Sequence, residues 1–496
     1  MSDQVRVRFA PSPTGLLHIG GLRTALYNYL FAKHHGGVFV LRIEDTDQNR
    51  YVDGAEQDII QSLQWAGLPF DEGPGTQGDF GPYRQSERSD LYKKYASELL
   101  DKGLAYYAFD TPEELEAMRE SLQSDSNPNP RYDANTRLKM RNSLTLPASE
   151  VEALLKDNVP HVIRLKVNES DVVRFDDMIR GKVSFSGSEI DDQILLKSDG
   201  LPTYHLANVV DDHLMKISHV IRGEEWLSSA PKHILLYQYL GWESPKMAHL
   251  PLIMSPSGGK LSKRKAEQEG IPVNVRDYIS GDYEAEAVVN FLAFLGWSPG
   301  DDRELFTLDE MISEFSLERV SKSGAIFNYK KLMWYNEHYL RASDSKEIVP
   351  RIMPFLQEEG FDADFDFAVE VVRLLKERVS LPVEIIKQGR FFFEAPKAYD
   401  EKSVKKAWKA ETPDFVKHYT EKVSGLAEKE WEASKLKSAL EETIAVFEVG
   451  FGKLMLPLRV AVTGVGAGPD LFESMALLGK EEVLKRIDSA LAALGE

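Results

Sequence analysis

The chain has 496 residues, 43% apolar and 28% charged, with no cysteine and a formal net charge of −19. That length exceeds a single hydrophobic core and predicts three or more domains of ordinary globular composition. The absence of thiols excludes disulfides, thiolate zinc sites, iron–sulfur clusters and cysteine nucleophiles. The acidic balance argues against a nonspecific nucleic-acid coat but leaves room for a local basic site for RNA.

In chain order, Val5-Arg6-Val7-Arg8-Phe9 alternates as a strand. A loop follows, Pro11-Ser12-Pro13-Thr14-Gly15-Leu16-Leu17-His18-Ile19-Gly20-Gly21, leading into a helical pattern with apolar residues at Leu22, Leu26, Tyr29 and Leu30. The apolar run Val38 to Ile43 closes a strand–loop–helix–strand unit. Prolines stop the strand, glycines allow close backbone approach, and the helix start offers free N–H groups with His18 beside them, which suits a phosphate. Read alone, the same loop is also a proline-rich turn with an incidental histidine. Neither a P-loop nor a GxGxxG fingerprint occurs.

Residues 1 to about 110 read as α/β, Ser121 to Pro130 as a loop, and His161–Val167, Val172–Phe175 and Val183–Phe185 as strands. The α/β pattern returns at Tyr204 to Asp212, so the middle reads as an insertion splitting one α/β domain. Beyond about residue 280 long helical patterns dominate; the last begins after Gly479 with Val483, Leu484, Ile487, Leu491 and Leu494 on one face. Met1 to Gln4 carries no signal-peptide pattern, and no segment approaches the ~20 apolar residues of a membrane span, so a cytoplasmic address is expected.

Four further segments can carry chemistry. Lys260-Leu261-Ser262-Lys263-Arg264-Lys265, behind Gly258-Gly259, is either a solvated charge run or a basic loop for a polyphosphate. Glu44, in Arg42-Ile43-Glu44-Asp45-Thr46-Asp47, follows the second strand and could hold an ammonium. A calcium loop is rejected there because Arg50 stands where the EF-hand turn needs glycine. Arg222, at the end of an apolar run, could clamp a carboxylate or pair with Glu224 or Glu225. From Arg373 to Lys409 basic residues outnumber acidic ones around Phe391, Phe392, Phe393 and Trp408, which fits either RNA contact or core.

Taken together, these segments resemble the class I aminoacyl-tRNA synthetases, and specifically the bacterial-type glutamyl-tRNA synthetase family. The resemblance spans essentially the whole chain. It rests on Arg8 to Gly15 with His18-Ile19-Gly20-Gly21, Arg42 to Asp47, Gly81 to Arg88, Pro202 to Asn208, the Lys260 to Arg264 loop, Leu456 to Arg459 and Leu477 to Lys480. It implies a Rossmann-type α/β catalytic domain with an α+β insertion, followed by an all-helical anticodon-binding C-terminal half. The expected boundaries are 1–82 with 204–250 for the split catalytic domain and 83–203 for an acceptor-stem-binding insertion. Residues 251–342 are expected to carry the second signature loop and stem contacts, and 343–396 and 397–496 two helical anticodon-binding subdomains.

The resemblance also implies residue roles. His18, Lys260 and Lys263 are the catalytic candidates. ATP is expected at Pro11, Ser12, Thr14, Gly15, His18, Gly20, Gly21, Glu225, Lys260, Leu261, Ser262, Lys263 and Arg264. Glutamate is expected at Arg8, Ala10, Ser12, Glu44, Tyr204, Asn208 and Arg222, with Arg222 on the side-chain carboxylate. Arg378 lies near where the family reads the third anticodon base. The implied reaction forms glutamyl-adenylate with release of pyrophosphate, then transfers the acyl group to the terminal adenosine of tRNA(Glu). Mg²⁺ is expected with ATP, and relatives usually need bound tRNA before they activate glutamate. Some relatives hold a zinc partly through a Cys-x-Cys pair; Ala105 to Asp110 offers no cysteine, so no zinc is expected. A monomer is usual. The competing readings are a glutaminyl-tRNA synthetase, whose loop usually reads Pro-Glu-Pro-Asn-Gly and whose anticodon region is β-barrel, and an inactive tRNA-binding relative.

Overall fold

A computed structural model describes residues 4–76, 78–125 and 127–495. The chain divides into two compact units, Met1–Ile279 with Val288–Tyr329, and Ser280–Ala287 with Lys330–Glu496.

The first unit opens with β1 (Arg6–Phe9), α1 (Ile19–His34) and β2 (Val38–Leu41). β1 and β2 pair in parallel from Arg6↔Val38 to Phe9↔Leu41, with α1 as the crossover. Ile19, Leu22, Leu26, Tyr27, Leu30 and Phe31 bury most of the helix surface, which explains why the pattern shows little amphipathicity. Lys33 and His34 in its last turn suit the negative end of the helix dipole.

The intervening segment contributes β3 (Ala105–Ala108), β4 (Val162–Leu165), β5 (Val172–Asp177), β6 (Gly181–Ser186) and β7 (Ile194–Leu196). β3, β4 and β7 form an antiparallel sheet. At its back the buried Asp192 accepts from Tyr106 Oη (2.7 Å), Arg137 Nη1 (2.9 Å) and the Val167 amide (2.9 Å). The chain then forms α2 (Tyr204–Leu214), β8 (His219–Gly223) and β9 (Lys246–Leu250). β8 and β9 are parallel, and the sheet order is β6-β5-β9-β8. The β5–β6 hairpin therefore continues the parallel sheet, with Asp177 opposite Met247. The Ser218 amide donates to the Arg6 carbonyl (2.9 Å), which sets the start of β8 against β1.

The strands expected around 161–167, 172–175 and 183–185 are present as β4, β5 and β6 with shifted ends. Tyr204 to Asp212, read as α/β in character, is the helix α2. The second unit is helical, and its last helix, Lys480–Leu494, buries Val483, Ile487 and Ala490. Phe391 and Phe392 are core residues there, alongside Val371, Leu375 and Ile385. Neighbouring cations are engaged locally: Arg373 with Glu370 and Glu473, Arg390 with Glu359. The core alternative thus accounts for these two phenylalanines.

Candidate active site

The loop after β1 is pinned by its own backbone and by distant partners. His18 is the N-cap of α1, its Nδ1 accepting from the Gly20 amide at 3.1 Å. A histidine with Nδ1 accepting and no charge carries its proton on Nε2, which leaves a donor for a ligand. Burial holds the His18 imidazolium below its usual range, and the cations of Lys263 and Lys260 lower it further. The Ile19 amide bonds Val273 O (2.8 Å), the Val275 amide bonds Leu17 O (2.8 Å), and the Leu17 amide reaches Asp58 Oδ2 (2.8 Å). Gly21 packs closely on the loop: a Cβ there would lie 2.9 Å from Leu17 Cδ1 and displace that methyl group. With no acidic side chain in the first turn of α1, the positive end of its dipole is left to an anion, while the amides of Ile19, Gly20 and Gly21 are engaged by Val273 O, His18 Nδ1 and His18 O.

Beneath this loop lies a cavity of about 430 Å³. Arg8, Ala10, Pro11, Ser12, Thr14, Gly15, His18, Gly20, Gly21, Glu44, Tyr204, Asn208, Arg222, Glu225 and Lys263 line it, so most of the residues singled out in the sequence meet at one place. Lys260, Leu261, Ser262 and Arg264 do not line it. Leu261 is buried, with its amide on Ile253 O (2.9 Å), Ser262 caps the helix Lys263–Gln268, and Arg264 is exposed. Lys260 stands 3.8 Å from the cavity residue Glu225. Consecutive positive φ values at Gly258 (93°) and Gly259 (73°) turn the chain into this basic loop. Arg378 is exposed in the second unit.

One wall of the cavity is a buried charge lattice. Asp212 Oδ1 accepts from Arg8 Nε (3.0 Å) and Arg42 Nη1 (2.6 Å), and Glu44 Oε1 accepts from Arg42 Nη2 (3.0 Å) and Asn208 Nδ2 (3.3 Å). Burial alone would raise the Asp212 carboxyl, but Arg8 and Arg42 hold it below the usual carboxylate range. Burial wins at Glu44, whose carboxyl is raised despite Arg42 and Arg8; an incoming ammonium would favour its charged form. Arg8 Nη2 is buried without a hydrogen-bond partner among the described residues, a donor left over in a cavity wall.

Arg222 pairs with neither adjacent glutamate. Glu224 is engaged by Arg180 and by the Leu252 amide (3.0 Å). Arg222 instead donates to His249 Nε2 (3.1 Å), Tyr204 Oη (3.1 Å), His233 Nδ1 (3.2 Å) and the Trp226 carbonyl (3.3 Å). Trp226 packs on the Tyr204 ring, centroids 4.5 Å apart, and also lines the cavity. The sequence reading did not single out Arg42, Asp212, Trp226, His233 or His249. Arg42 had a visible signal, a charge inside an otherwise apolar run that demands a partner; Asp212, between Asp211 and His213, and the two histidines had none. The acidic stretch after β2 is consumed structurally: Asp45 accepts from the Ser86 amide (2.8 Å) and hydroxyl (2.6 Å), and Asp47 pairs with Arg50.

Residues 4–334 match the family model for the catalytic domain of tRNA synthetases class I (E and Q), and residues 347–491 match an anticodon binding domain. A glutamate–tRNA ligase of Cytophaga hutchinsonii is 51% identical over 100% of this chain and 99% of its own length. One from Bacteroides fragilis is 50% identical over 99% of each. The crystal structure of a glutamate tRNA ligase from Elizabethkingia meningosepticum, in complex with its amino acid, superposes with a TM-score of 0.94 at 45% identity, covering 99% of this chain and 100% of that one. The chain therefore belongs to the class I tRNA synthetases (E and Q), on the branch of the bacterial glutamate–tRNA ligases.

Proposed function

We propose that this chain ligates L-glutamate to tRNA(Glu) at the expense of ATP, through glutamyl-adenylate. One observation carries the reading: a single cavity holds charges matched to an amino acid beside groups matched to phosphates. Glu44 suits an ammonium, Arg8 Nη2 is an unused donor for a carboxylate, and Arg222 with Tyr204 faces a second carboxylate. The N-terminus of α1, His18 and Lys263 adjoin them.

In the first step the α-carboxylate oxygen attacks the α-phosphorus in line, and the bond to the pyrophosphate oxygen breaks. The His18 Nε2–H, Lys263 and the positive end of the α1 dipole stabilise charge on the phosphates, and the Arg8 side holds the amino acid in place. In the second step a ribose hydroxyl of the terminal adenosine attacks the acyl carbon and AMP leaves. No protein nucleophile is needed. Mg²⁺ would arrive on the ATP phosphates: among the described residues no group of three His, Asp or Glu gathers as a cage, and the carboxylate Glu225 lies in the cavity.

The donor set argues against glutamine. Arg222 is buried with imidazole, phenol and carbonyl partners and no carboxylate among the described residues, so a side-chain carboxylate would neutralise it where a neutral amide would not. We assign residues 83–203 to the acceptor stem, 251–342 to the second signature loop and stem contacts, and 343–396 with 397–496, including Arg378, to the anticodon. The enzyme is a cytoplasmic monomer in this reading; no described helix is long and apolar enough to cross a membrane.

The test is pyrophosphate exchange with glutamate or glutamine, with and without tRNA, followed by charging of tRNA(Glu) and tRNA(Gln). Exchange with glutamate and charging of tRNA(Glu) are expected. Exchange with glutamine alone would reassign the substrate, and no exchange under any condition would leave a tRNA-binding protein.

A further inference from the structure

Arg222 is held by a chain of side chains whose hydrogen-bond polarity has one solution. A guanidinium only donates, so His249 Nε2, 3.1 Å from Arg222 Nε, must present a lone pair. The proton of His249 then sits on Nδ1, where Asp177 Oδ2 accepts it at 2.6 Å. Both side chains are fully buried. The other oxygen, Asp177 Oδ1, accepts from the amides of Arg180 (2.8 Å), Ile179 (3.0 Å) and His249 (3.3 Å), so the carboxylate is locked in rotation. On the far side of Arg222, His233 Nδ1 must likewise accept, and its Nε2–H is directed to His205 Nδ1 at 3.1 Å. With Tyr204 and the Trp226 carbonyl, these contacts occupy four of the guanidinium's five N–H groups and fix its plane, leaving one Nη2 hydrogen for a ligand.

We propose that Asp177 and His249 are positioning residues for amino-acid selection: Asp177 sets the His249 tautomer, and His249 holds Arg222 in the orientation that accepts a side-chain carboxylate and rejects an amide. This rests on the reading of Arg222 as the group facing that carboxylate. The geometry makes Asp177→Asn an informative change. Three amides demand an oxygen at the Oδ1 position, so the new NH₂ must fall opposite His249 Nδ1. Nδ1 must then accept, the proton moves to Nε2, and it confronts the Arg222 Nε–H. His249→Gln preserves the original polarity, with its NH₂ toward Asp177 and its oxygen toward Arg222.

The test is aminoacylation kinetics on the full-length protein with glutamate and glutamine, together with nitrogen NMR of the histidines. In Asp177→Asn and His249→Leu, KM for glutamate is expected to rise about tenfold or more, as for a buried donor left unpaired, with KM for ATP unchanged and the glutamate-over-glutamine preference reduced. In His249→Gln, KM is expected within about threefold of wild type, as a preserved bond pattern predicts. His249 is expected as the Nδ1–H tautomer in the wild type and as Nε2–H in Asp177→Asn. An Nε2–H tautomer in the wild type, wild-type KM in Asp177→Asn, or equal damage from His249→Gln and His249→Leu would overturn the proposal. Should Asp177→Asn fail to fold, the two His249 variants and the wild-type tautomer still decide. Arg222→Leu separates the layers: normal glutamate KM there removes the reading of Arg222 itself, whereas a raised KM there with no effect of Asp177→Asn removes only the positioning role.

Discussion

The two walls of the cavity solve opposite problems. On the side proposed for the amino acid, Arg8, Arg42, Glu44, Asp212 and Arg222 are all nearly or fully buried; the first four compensate one another, and Arg222 is held by imidazole, phenol and carbonyl groups. On the side proposed for the phosphates, Lys263 and Arg264 are exposed and carry no ion pair among the described residues, while Lys260 has only a long contact with Glu225. Buried charges cannot relax when a substrate differs by one proton donor, so they select. Solvated cations are easily rearranged around a triphosphate whose charge distribution changes during reaction, so they follow it. Selection and rate are thereby placed in different dielectric surroundings.

That contrast fixes what each mutation should do. Asp212→Asn leaves Arg8 and Arg42 facing a neutral amide in the interior and is expected to cost about 3–5 kcal/mol of folding stability, read from denaturant titration. A loss below ~1 kcal/mol, the size of a surface pair, would erase the distinction between the walls. Lys263→Ala is expected to lower the activation rate by about 10²–10³-fold with an unchanged melting temperature and nearly intact tRNA affinity, as for loss of one charge-stabilising donor. An unchanged pyrophosphate-exchange rate would remove Lys263 from its role.

Acid should act through histidines that burial keeps neutral. Burial pushes His205 and His219 down to about 4 from 6.5. Between those values the unfolded chain binds protons that the folded chain refuses, so stability is complete above pH 6.5 and declines as pH falls toward 4. Each pH unit in that window removes at most about 1.4 kcal/mol per histidine. Denaturant midpoints at pH 7.5, 6 and 5 measure it, and a flat profile would mean that both imidazoles charge freely. The smallest effect separates the two duties of His18. His18→Ala removes the helix cap and the ligand donor, whereas asparagine restores a cap; a stability difference of about 1 kcal/mol between them is expected, with exchange rates depressed in both.

Much of the site was legible in the sequence because its parts sit where local patterns change. His18 falls at a strand–loop–helix junction, Glu44 just past a strand, Arg222 at the end of an apolar run, and Lys263 behind two glycines. What each would touch was not legible. Asp212 meets Arg42 across 170 positions and His249 meets Asp177 across 72, and such partnerships leave no periodic trace in one sequence. Phe391 to Phe393 marks the other limit: clustered aromatics read equally as a stacking platform or as core until neighbouring helices are known. The β5–β6 hairpin was read within an insertion, and nothing in its alternation says that it extends the catalytic sheet.

That last placement has a practical consequence for anyone building hybrids of these enzymes. Residues 83–203 look like an exchangeable cassette, with both ends returning to the same α/β core. Yet strand β5 within it delivers Asp177 to His249 on the neighbouring strand, behind the cavity residue Arg222. On the proposed assignment of this segment to the acceptor stem, a chimera that swaps all of it to change which tRNA is recognised would also replace the residue proposed to set a histidine proton behind Arg222. The cut that leaves amino-acid choice untouched lies before β5, so the graft must return β5 and β6 to the host.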